Sequence, residues 1–271
     1  MIQSVPVSVI ITTLNEAKNL PRCLAALKDF DEVIVVDSHS SDETPEVARQ
    51  WGTQVVLYKW DGKYPKKRQW CLDTLKTKND FIFFVDADEK VTPELINEIR
   101  QSDFAAAGYF VKGQYVWNGR PLRHGLMNNK LCLINRHKME FPVVDDLDIP
   151  GMGEIEGHYQ PVLKSDYVSE KIDQMKSPLL HYAYGDIKGW QARHERYAVW
   201  EAEMMRRNGY PPDPVAWRQV IKRCIRGQPV QKYIAFLHSY VLKKGFCDGR
   251  AGYEIARSRF AYYKSIQSNL Q

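Results

Sequence analysis

Two carboxylates, Asp86 and Asp88, stand one residue apart at the end of the apolar run Phe81-Ile82-Phe83-Phe84-Val85. Such a run predicts a strand buried on both faces, the pattern of a parallel sheet. Side chains two apart on an extended chain project to the same side, so both carboxylates can converge on one cation. In an open α/β sheet, ligands bind beyond the carboxyl ends of the strands. Hard oxygen ligands suit Mg²⁺ or Mn²⁺, which commonly hold a substrate's phosphates. The motif points to a metal-bound diphosphate, but Asp-x-Asp also occurs in ordinary surface turns, so its surroundings must decide.

Polar groups fall at the ends of other apolar runs too. The first ends in Thr12-Thr13-Leu14-Asn15-Glu16, and the second in Asp37-Ser38-His39-Ser40-Ser41-Asp42. Asp37 could accept from a base N–H or from ribose hydroxyls. Asn15 and Asn19 could equally cap the next helix, as could Ser41 or Asp42 the one after. Lys66-Lys67-Arg68 opens a third helix. Lys66 reads as part of a solvated basic face, and Arg68 as a cation able to neutralise a leaving diphosphate. No Gly-x-Gly-x-x-Gly follows either strand, which argues against a dinucleotide site.

These groups must be held by alternating elements. Strands are expected over 7–12, 32–37, 54–58 and 81–85, and helices over 19–28, 44–51 and 66–76. Another helix should start at Thr92-Pro93, an N-cap followed by a proline in the first turn. Strand and helix in alternation predict βαβ units and a parallel sheet. Between about 105 and 165 the pattern loosens around seven glycines, from Gly108 to Gly157, and predicts mixed sheet and loops. Beyond His181 the character is helical.

At 271 residues, with 44% hydrophobic and 26% charged residues, the chain is expected to fold as one large α/β domain with a helical extension. No window approaches the roughly 20 apolar residues of a spanning helix. Met1-Ile2-Gln3 has no basic flank, so no signal peptide is expected. Five cysteines without Cys-x-x-Cys spacing suggest reduced thiols in a cytoplasmic protein. Residues 176–271 hold 17 Lys/Arg against 7 Asp/Glu, leaving 21 against 26 before them. That basic excess predicts an anionic partner. Trp217, Val220, Ile221, Cys224 and Ile225 form an apolar helical stripe, with Arg218, Lys222 and Arg226 on another. Tyr233, Phe236, Leu237, Tyr240 and Val241, followed by Lys243-Lys244, repeat the design. Amphipathic helices with basic flanks suit either an anionic membrane surface or the core.

The chain resembles the family 2 glycosyltransferases of the nucleotide-diphospho-sugar transferase (GT-A) fold. The resemblance rests on Val-Ser-Val-Ile-Ile-Thr-Thr-Leu-Asn-Glu at 7–16, Val-Ile-Val-Val-Asp-Ser at 33–38, Lys-Lys-Arg-Gln-Trp at 66–70 and Phe-Val-Asp-Ala-Asp-Glu at 84–89. It is most similar to the lipopolysaccharide-core and exopolysaccharide glucosyltransferase branch, through Glu-Gly-His-Tyr-Gln-Pro at 156–161, Leu-Leu-His-Tyr at 179–182 and Lys-Lys-Gly-Phe-Cys-Asp-Gly-Arg-Ala-Gly at 243–252. It implies a catalytic domain over 1–182, with a nucleotide-binding half to 104 and an acceptor and base half from 105, then a basic helical extension over 183–271. It implies inverting, metal-dependent transfer of a hexose from a UDP-sugar such as UDP-glucose to a lipid-linked glycan acceptor at the cytoplasmic face of the membrane. Thr12, Asn15, Glu16, Asp37 and Arg68 would hold the nucleotide, and Asp86 its ribose or the metal. Asp88 would be the principal ligand of Mg²⁺ or Mn²⁺, completed by His181, which could instead be a buried, hydrogen-bonded histidine. Of the carboxylates Asp145, Asp146, Asp148, Glu154 and Glu156, Glu156 best matches the general base and Glu154 is the alternative.

Three other readings fit the sequence less well. A haloacid-dehalogenase-like phosphatase would carry Asp-x-Asp on its first strand rather than its fourth. A sugar nucleotidyltransferase would usually show a glycine-rich phosphate loop. A non-catalytic basic binding protein leaves the carboxylates unexplained, and no nucleic-acid module is recognisable.

Overall fold

The computed structural model describes residues 4–150, 152–156, 159–184 and 187–271, with only the backbone of 187–190. Met1 to Gln3, Gly151, and the Gly157 and His158 of the 156–161 motif lie outside the described residues. In chain order the elements are β1 (Val5–Thr13), α1 (Leu20–Ala25), β2 (Phe30–Asp37), α2 (Thr44–Gln50), β3 (Gln54–Leu57), α3 (Lys67–Thr74), β4 (Phe81–Asp86), β5 (Glu89–Lys90) and α4 (Pro93–Arg100). There follow β6 (Gly108–Trp117), β7 (Arg120–Pro121), β8 (Asn128–Asn135), β9 (Met139–Glu140), β10 (Val162–Leu163), β11 (Ile172–Gln174) and β12 (Leu179–His181). The last four are helices: α5 (Ile187–Arg207), α6 (Ala216–Ile225), α7 (Gln231–Leu237) and α8 (Gly249–Leu270).

The chain divides into two compact units. The first comprises Met1–Gln114, Asn128–Phe141 and Pro161–Tyr182; the second comprises Tyr115–Met127, Pro142–Gln160 and Ala183–Gln271. In the first unit the strands run in the order β3-β2-β1-β4-β8-β6-β12-β5. The first four are parallel. β8 is antiparallel to β4 and to β6, and β12 is antiparallel to β5. The order has a sequence cause. β1 and β4 are the most continuous apolar runs, and both are buried along almost their whole length. β3 is short and half-exposed at the edge. The α/β sheet flanked by helices and the helical C-terminal region are as the sequence predicts. α4 also starts as expected, with the Thr92 hydroxyl accepting from the Leu95 N–H at 3.3 Å and Pro93 opening the first turn.

In the second unit, β6 and β7 pair through the turn Asn118-Gly119, whose φ values of 47° and 77° are both left-handed. An Asn-Gly pair suits such a two-residue hairpin turn. α5 and α8 pack through Ala198, Ala202 and Ile266, with Tyr262 and Tyr263 around them. The start of α8 demands glycine: a Cβ on Gly252 would lie 1.8 Å from the Gly245 carbonyl oxygen. Much of the 243–252 motif is therefore a backbone close approach.

Candidate active site

The sheet register assembles a row of polar groups at the ends of β1, β2 and β4. Thr13 pairs with Asp37, and Thr12 pairs with Val36 on one side and Asp86 on the other. Asp37 is fully buried and held by neutral donors. Its Oδ1 accepts from the Thr13 hydroxyl at 2.9 Å and the Ser40 hydroxyl at 2.6 Å, and its Oδ2 from the Ser40 N–H at 2.8 Å. The loop after β1 is stitched to the loop after β2. The Asn15 N–H donates to the Ser40 hydroxyl and the Glu16 N–H to the Thr44 hydroxyl, each at 2.8 Å, while Asn15 Oδ1 accepts from the Ser41 N–H at 2.8 Å. Asn15 sits at φ 57°, a conformation Asn tolerates. Asn15 and Asn19 make no helix cap: Asn19 occupies the N-cap position of α1, but its amide donates to Glu16 Oε2. Asp42 does take the Thr44 N–H at the start of α2, at 3.0 Å.

The end of β4 is built from charges. Asp86 Oδ1 accepts from Arg68 at 2.9 Å and its Oδ2 from the Lys130 ammonium at 2.7 Å. The same ammonium lies 2.6 Å from Glu89 Oε1, and Glu89 Oε2 accepts from the Asp86 N–H at 2.9 Å. β5 pairs Glu89 with His181 on β12, and the Tyr182 N–H donates to the Asp88 carbonyl, so a two-residue ladder brings the histidine to the motif. His181 Nε2 lies 3.5 Å from Asp88 Oδ2. Thus Arg68, Asp86, Asp88 and His181 come together as expected. The sequence reading missed Lys130 and Glu89; an isolated lysine opening an apolar strand (Lys130-Leu-Cys-Leu-Ile) was the available signal. Lys66 is a correction: it is fully buried rather than solvated, because it precedes α3 and turns inward, with its ammonium 5.5 Å from the Tyr64 ring centroid.

The cluster sets its own protonation. Burial alone would raise Asp86, but Lys130 and Arg68 hold it well below the ordinary carboxylate range. Burial would lower Lys130, and Asp86 and Glu89 reverse this, keeping it charged. Glu89 is pushed up, first by burial and then by Asp86, against the pull of Lys130. Burial and His181 act oppositely on Asp88, which ends below its usual value, while Asp88 outweighs burial on His181 and raises it.

A divalent metal was expected on Asp86, Asp88 and His181. Both Asp86 oxygens are engaged by cations, and among the described residues no three His, Cys, Asp or Glu side chains converge to hold an ion. Asp88 and His181 offer one carboxylate and one imidazole. That donor set fits a metal carried largely by a substrate's phosphates rather than caged by protein.

The candidate bases belong to the second unit. Asp146 is buried and accepts from the Trp200 indole N–H at 2.9 Å, and Asp148 takes both Arg207 Nη groups at 2.8 Å. Both fasten α5. Glu156 is buried and Glu154 half-buried.

The apolar stripe of α6, expected to meet either a membrane surface or the core, does not pack into the core. α6 has no buried residue: Trp217 is 65% and Val220 61% exposed. Its basic stripe pairs with residues outside the helix: Lys222, itself 45% exposed, lies 2.6 Å from Asp213, Arg218 lies 3.8 Å from the same carboxylate, and Arg226 stacks 3.2 Å over the Tyr210 ring. No helix among the described residues is long and apolar enough to cross a membrane.

Comparison with known proteins gives a consistent result. An uncharacterized glycosyltransferase of Rickettsia bellii is 42% identical over 94 residues, covering 34% of this chain and 31% of the relative. The chain thus spans about a third of the length of the Rickettsia relatives it matches. The lipopolysaccharide core biosynthesis glycosyltransferase LpsC of Rhizobium meliloti is 29% identical over 119 residues, covering 41% of this chain and 43% of that protein. Among solved structures, S. aureus TarS 1-349 aligns over 97% of this chain and 88% of its own at 16% identity, with a TM-score of 0.45. The model of glycosyl transferase family 2 matches residues 8–147, just over half the sequence and the whole span from β1 past the Asp86-Ala87-Asp88 corner. The chain belongs to glycosyltransferase family 2.

Proposed function

We propose that this chain is an inverting, metal-dependent hexosyltransferase using a nucleotide-diphosphate sugar, UDP-glucose or a related UDP-sugar, and building a lipid-linked glycan of the lipopolysaccharide or exopolysaccharide kind. The observation that carries the reading is the cluster of Arg68, Asp86, Asp88, Lys130 and His181 at the end of β4. The similarity to LpsC supports the acceptor class. Thr12, Asn15, Glu16 and Asp37 hold the nucleoside, and Asp86 lies between them and the cations. Asp88 and His181 hold Mg²⁺ or Mn²⁺, which when bound supplies Lewis-acid stabilisation of the diphosphate. Glu156, or Glu154 in its place, takes the proton of the acceptor hydroxyl as that oxygen attacks the anomeric carbon. The bond to the diphosphate breaks on the opposite face, and Arg68 neutralises the departing charge. No covalent enzyme intermediate is needed.

The domains follow this division of labour: residues 1–182 carry catalysis and 183–271 the approach to the acceptor. The outward apolar face of α6, with the exposed Tyr233, Leu237, Val241 and Leu242 and the basic Lys243 and Lys244, supports peripheral attachment to the anionic cytoplasmic face of a membrane. Five free thiols accord with that compartment.

A panel of nucleotide-sugars with Mg²⁺ or Mn²⁺, read by nucleotide release and thermal stabilisation, tests the whole reading. At least one nucleotide-sugar should stabilise the protein, and if neither these nor free nucleoside diphosphates do so, the reading fails. Asp88→Ala should abolish metal-dependent donor binding. Glu156→Gln should keep donor binding and lower transfer by about 10²–10⁴-fold; loss of both would remove Glu156 as the base.

A further inference from the structure

The second unit contains a cavity of about 1310 Å³ that none of the roles above uses. It exceeds the roughly 300–1,000 Å³ of small-molecule pockets and so has room for several linked rings. Its lining combines two chemistries. Trp117 and Tyr184, with ring centroids 5.4 Å apart, present aromatic surface suited to the apolar face of a sugar ring. Arg120, Arg123 and Arg250 are exposed and, among the described residues, have no carboxylate partner. Two of the cavity's three carboxylates are already engaged: Glu254 pairs with Arg257 at 2.9 Å, and Asp248 accepts from the Arg123 and His124 N–H groups at 3.3 and 2.7 Å. Glu195, and Asp248 held by neutral N–H groups, stand against the three arginines, which leaves the cavity one positive charge in excess and favours an anion.

The cavity is built rather than incidental. The Asn118-Gly119 turn pairs Trp117 with Arg120 across the hairpin. Asp248 ties the following loop to the start of α8, and the Gly125 N–H donates to the Lys243 carbonyl at 2.8 Å. The Gly245–Gly252 contact seats the first turn of α8, which carries Arg250. The 243–252 motif thereby gains a purpose that the reaction chemistry did not give it.

We infer that this cavity binds an anionic glycan, its sugar rings against Trp117 and Tyr184 and its phosphate or carboxylate groups on Arg120, Arg123 and Arg250. The inference rests on the transferase reading for the choice of a glycan as ligand. It names the acceptor's charge, which nothing in the β4 cluster specifies.

Calorimetric titration of the full chain tests it with four probes: maltotriose bearing one 6-phosphate, trigalacturonate, neutral maltotriose and inorganic phosphate. At least one anionic saccharide should bind ten times or more tighter than both neutral maltotriose and inorganic phosphate, and which one does so identifies the source of the charge. Arg120→Gln with Arg250→Gln should weaken that binding by about a hundredfold, tenfold for each charged contact. Equal binding of inorganic phosphate, equal binding of neutral maltotriose, or full retention by the double variant would each overturn the assignment. Nucleotide-sugar binding by the unmodified chain, measured separately, reports on the transferase reading, so failure of one is distinguishable from failure of the other.

Discussion

Two carboxylates end β2 and β4, the strands on either side of β1, and the protein treats them in opposite ways. Asp37 on β2 is surrounded by neutral donors from Thr13 and Ser40. Asp86 on β4 is held by two cations, Arg68 and Lys130, and shares the second with Glu89. Neutral donors fix a carboxylate's position while leaving it a full negative charge, which suits steady recognition of hydroxyl or N–H groups. Cations fix it by cancelling charge, and those cations can be redistributed when another anion arrives. The β2 end is thus fixed by neutral groups, and the β4 end is a charge store that the proposed diphosphate would rearrange.

The largest expected effect comes from breaking the store. Lys130→Met leaves Asp86 and Glu89 facing each other without their shared cation. Removing one partner of a buried pair costs about 3–5 kcal/mol, and with Asp86 33% exposed the lower figure is expected here. Urea unfolding measures this directly. The double variant Lys130→Met with Glu89→Leu should recover much of the loss, because an apolar pair leaves one carboxylate fewer to compensate. A cost below about 1 kcal/mol for Lys130→Met would erase the distinction between the two corners. Asp37→Ala is the matched test on the other side. It strands the Thr13 hydroxyl and the Ser40 N–H, at a cost of about 1–3 kcal/mol by the same unfolding measurement.

A smaller effect separates the corners by pH. Asp88 lies below its ordinary 3.8, so its stabilisation is present above that value and lost as pH falls through the folded-state pKa. His181 lies above its ordinary 6.5, so its contribution is complete below 6.5 and lost as pH rises through the folded-state pKa. The pair therefore stabilises most between 3.8 and 6.5. His181→Gln should flatten the upper limb of the stability–pH curve while Asp37→Asn leaves that limb unchanged. On the proposed reading Mn²⁺ needs His181 neutral, so the thermal shift it gives should grow as pH rises above 6.5 through the folded-state pKa of His181.

How far the sequence carried depends on whether the signal was local. The β4 run, the Thr92 cap and the strand–helix alternation are written in neighbouring residues, and each was legible. Arg68 was found because it follows a recognisable helix start. Lys130 was not, since it reaches Asp86 from 44 positions away along an antiparallel strand, and nothing local marks which cation a buried carboxylate recruits. Lys66 misled for the same reason: its neighbours are charged, so composition suggests solvent, yet the chain entering α3 turns it inward. The two stripes of α6 are legible, but the partners of the basic one, Asp213 and Tyr210, lie outside the helix itself.

The exposed apolar stripe of α6 supplies the smallest stability effect and the sharpest contrast between the units. In the first unit Cys23, Cys71 and Cys132 are all buried, and burial lifts the Cys132 thiol to about 12. In the second, Cys224 and Cys247 are exposed, Cys224 on the outward face of α6. Native-state alkylation followed by mass spectrometry should label two cysteines quickly and leave three protected. Anionic vesicles should then protect Cys224 if that face meets a membrane, and neutral vesicles should protect it less. Trp217→Ser, at a site already exposed, should move stability by no more than about 0.5 kcal/mol while reducing vesicle binding. If vesicle binding survives Trp217→Ser and Cys224 stays reactive on vesicles, the outward stripe is not the attachment face. The contrast between a rigid sheet end and an interfacial helix would then have to be redrawn around the basic residues that follow α7.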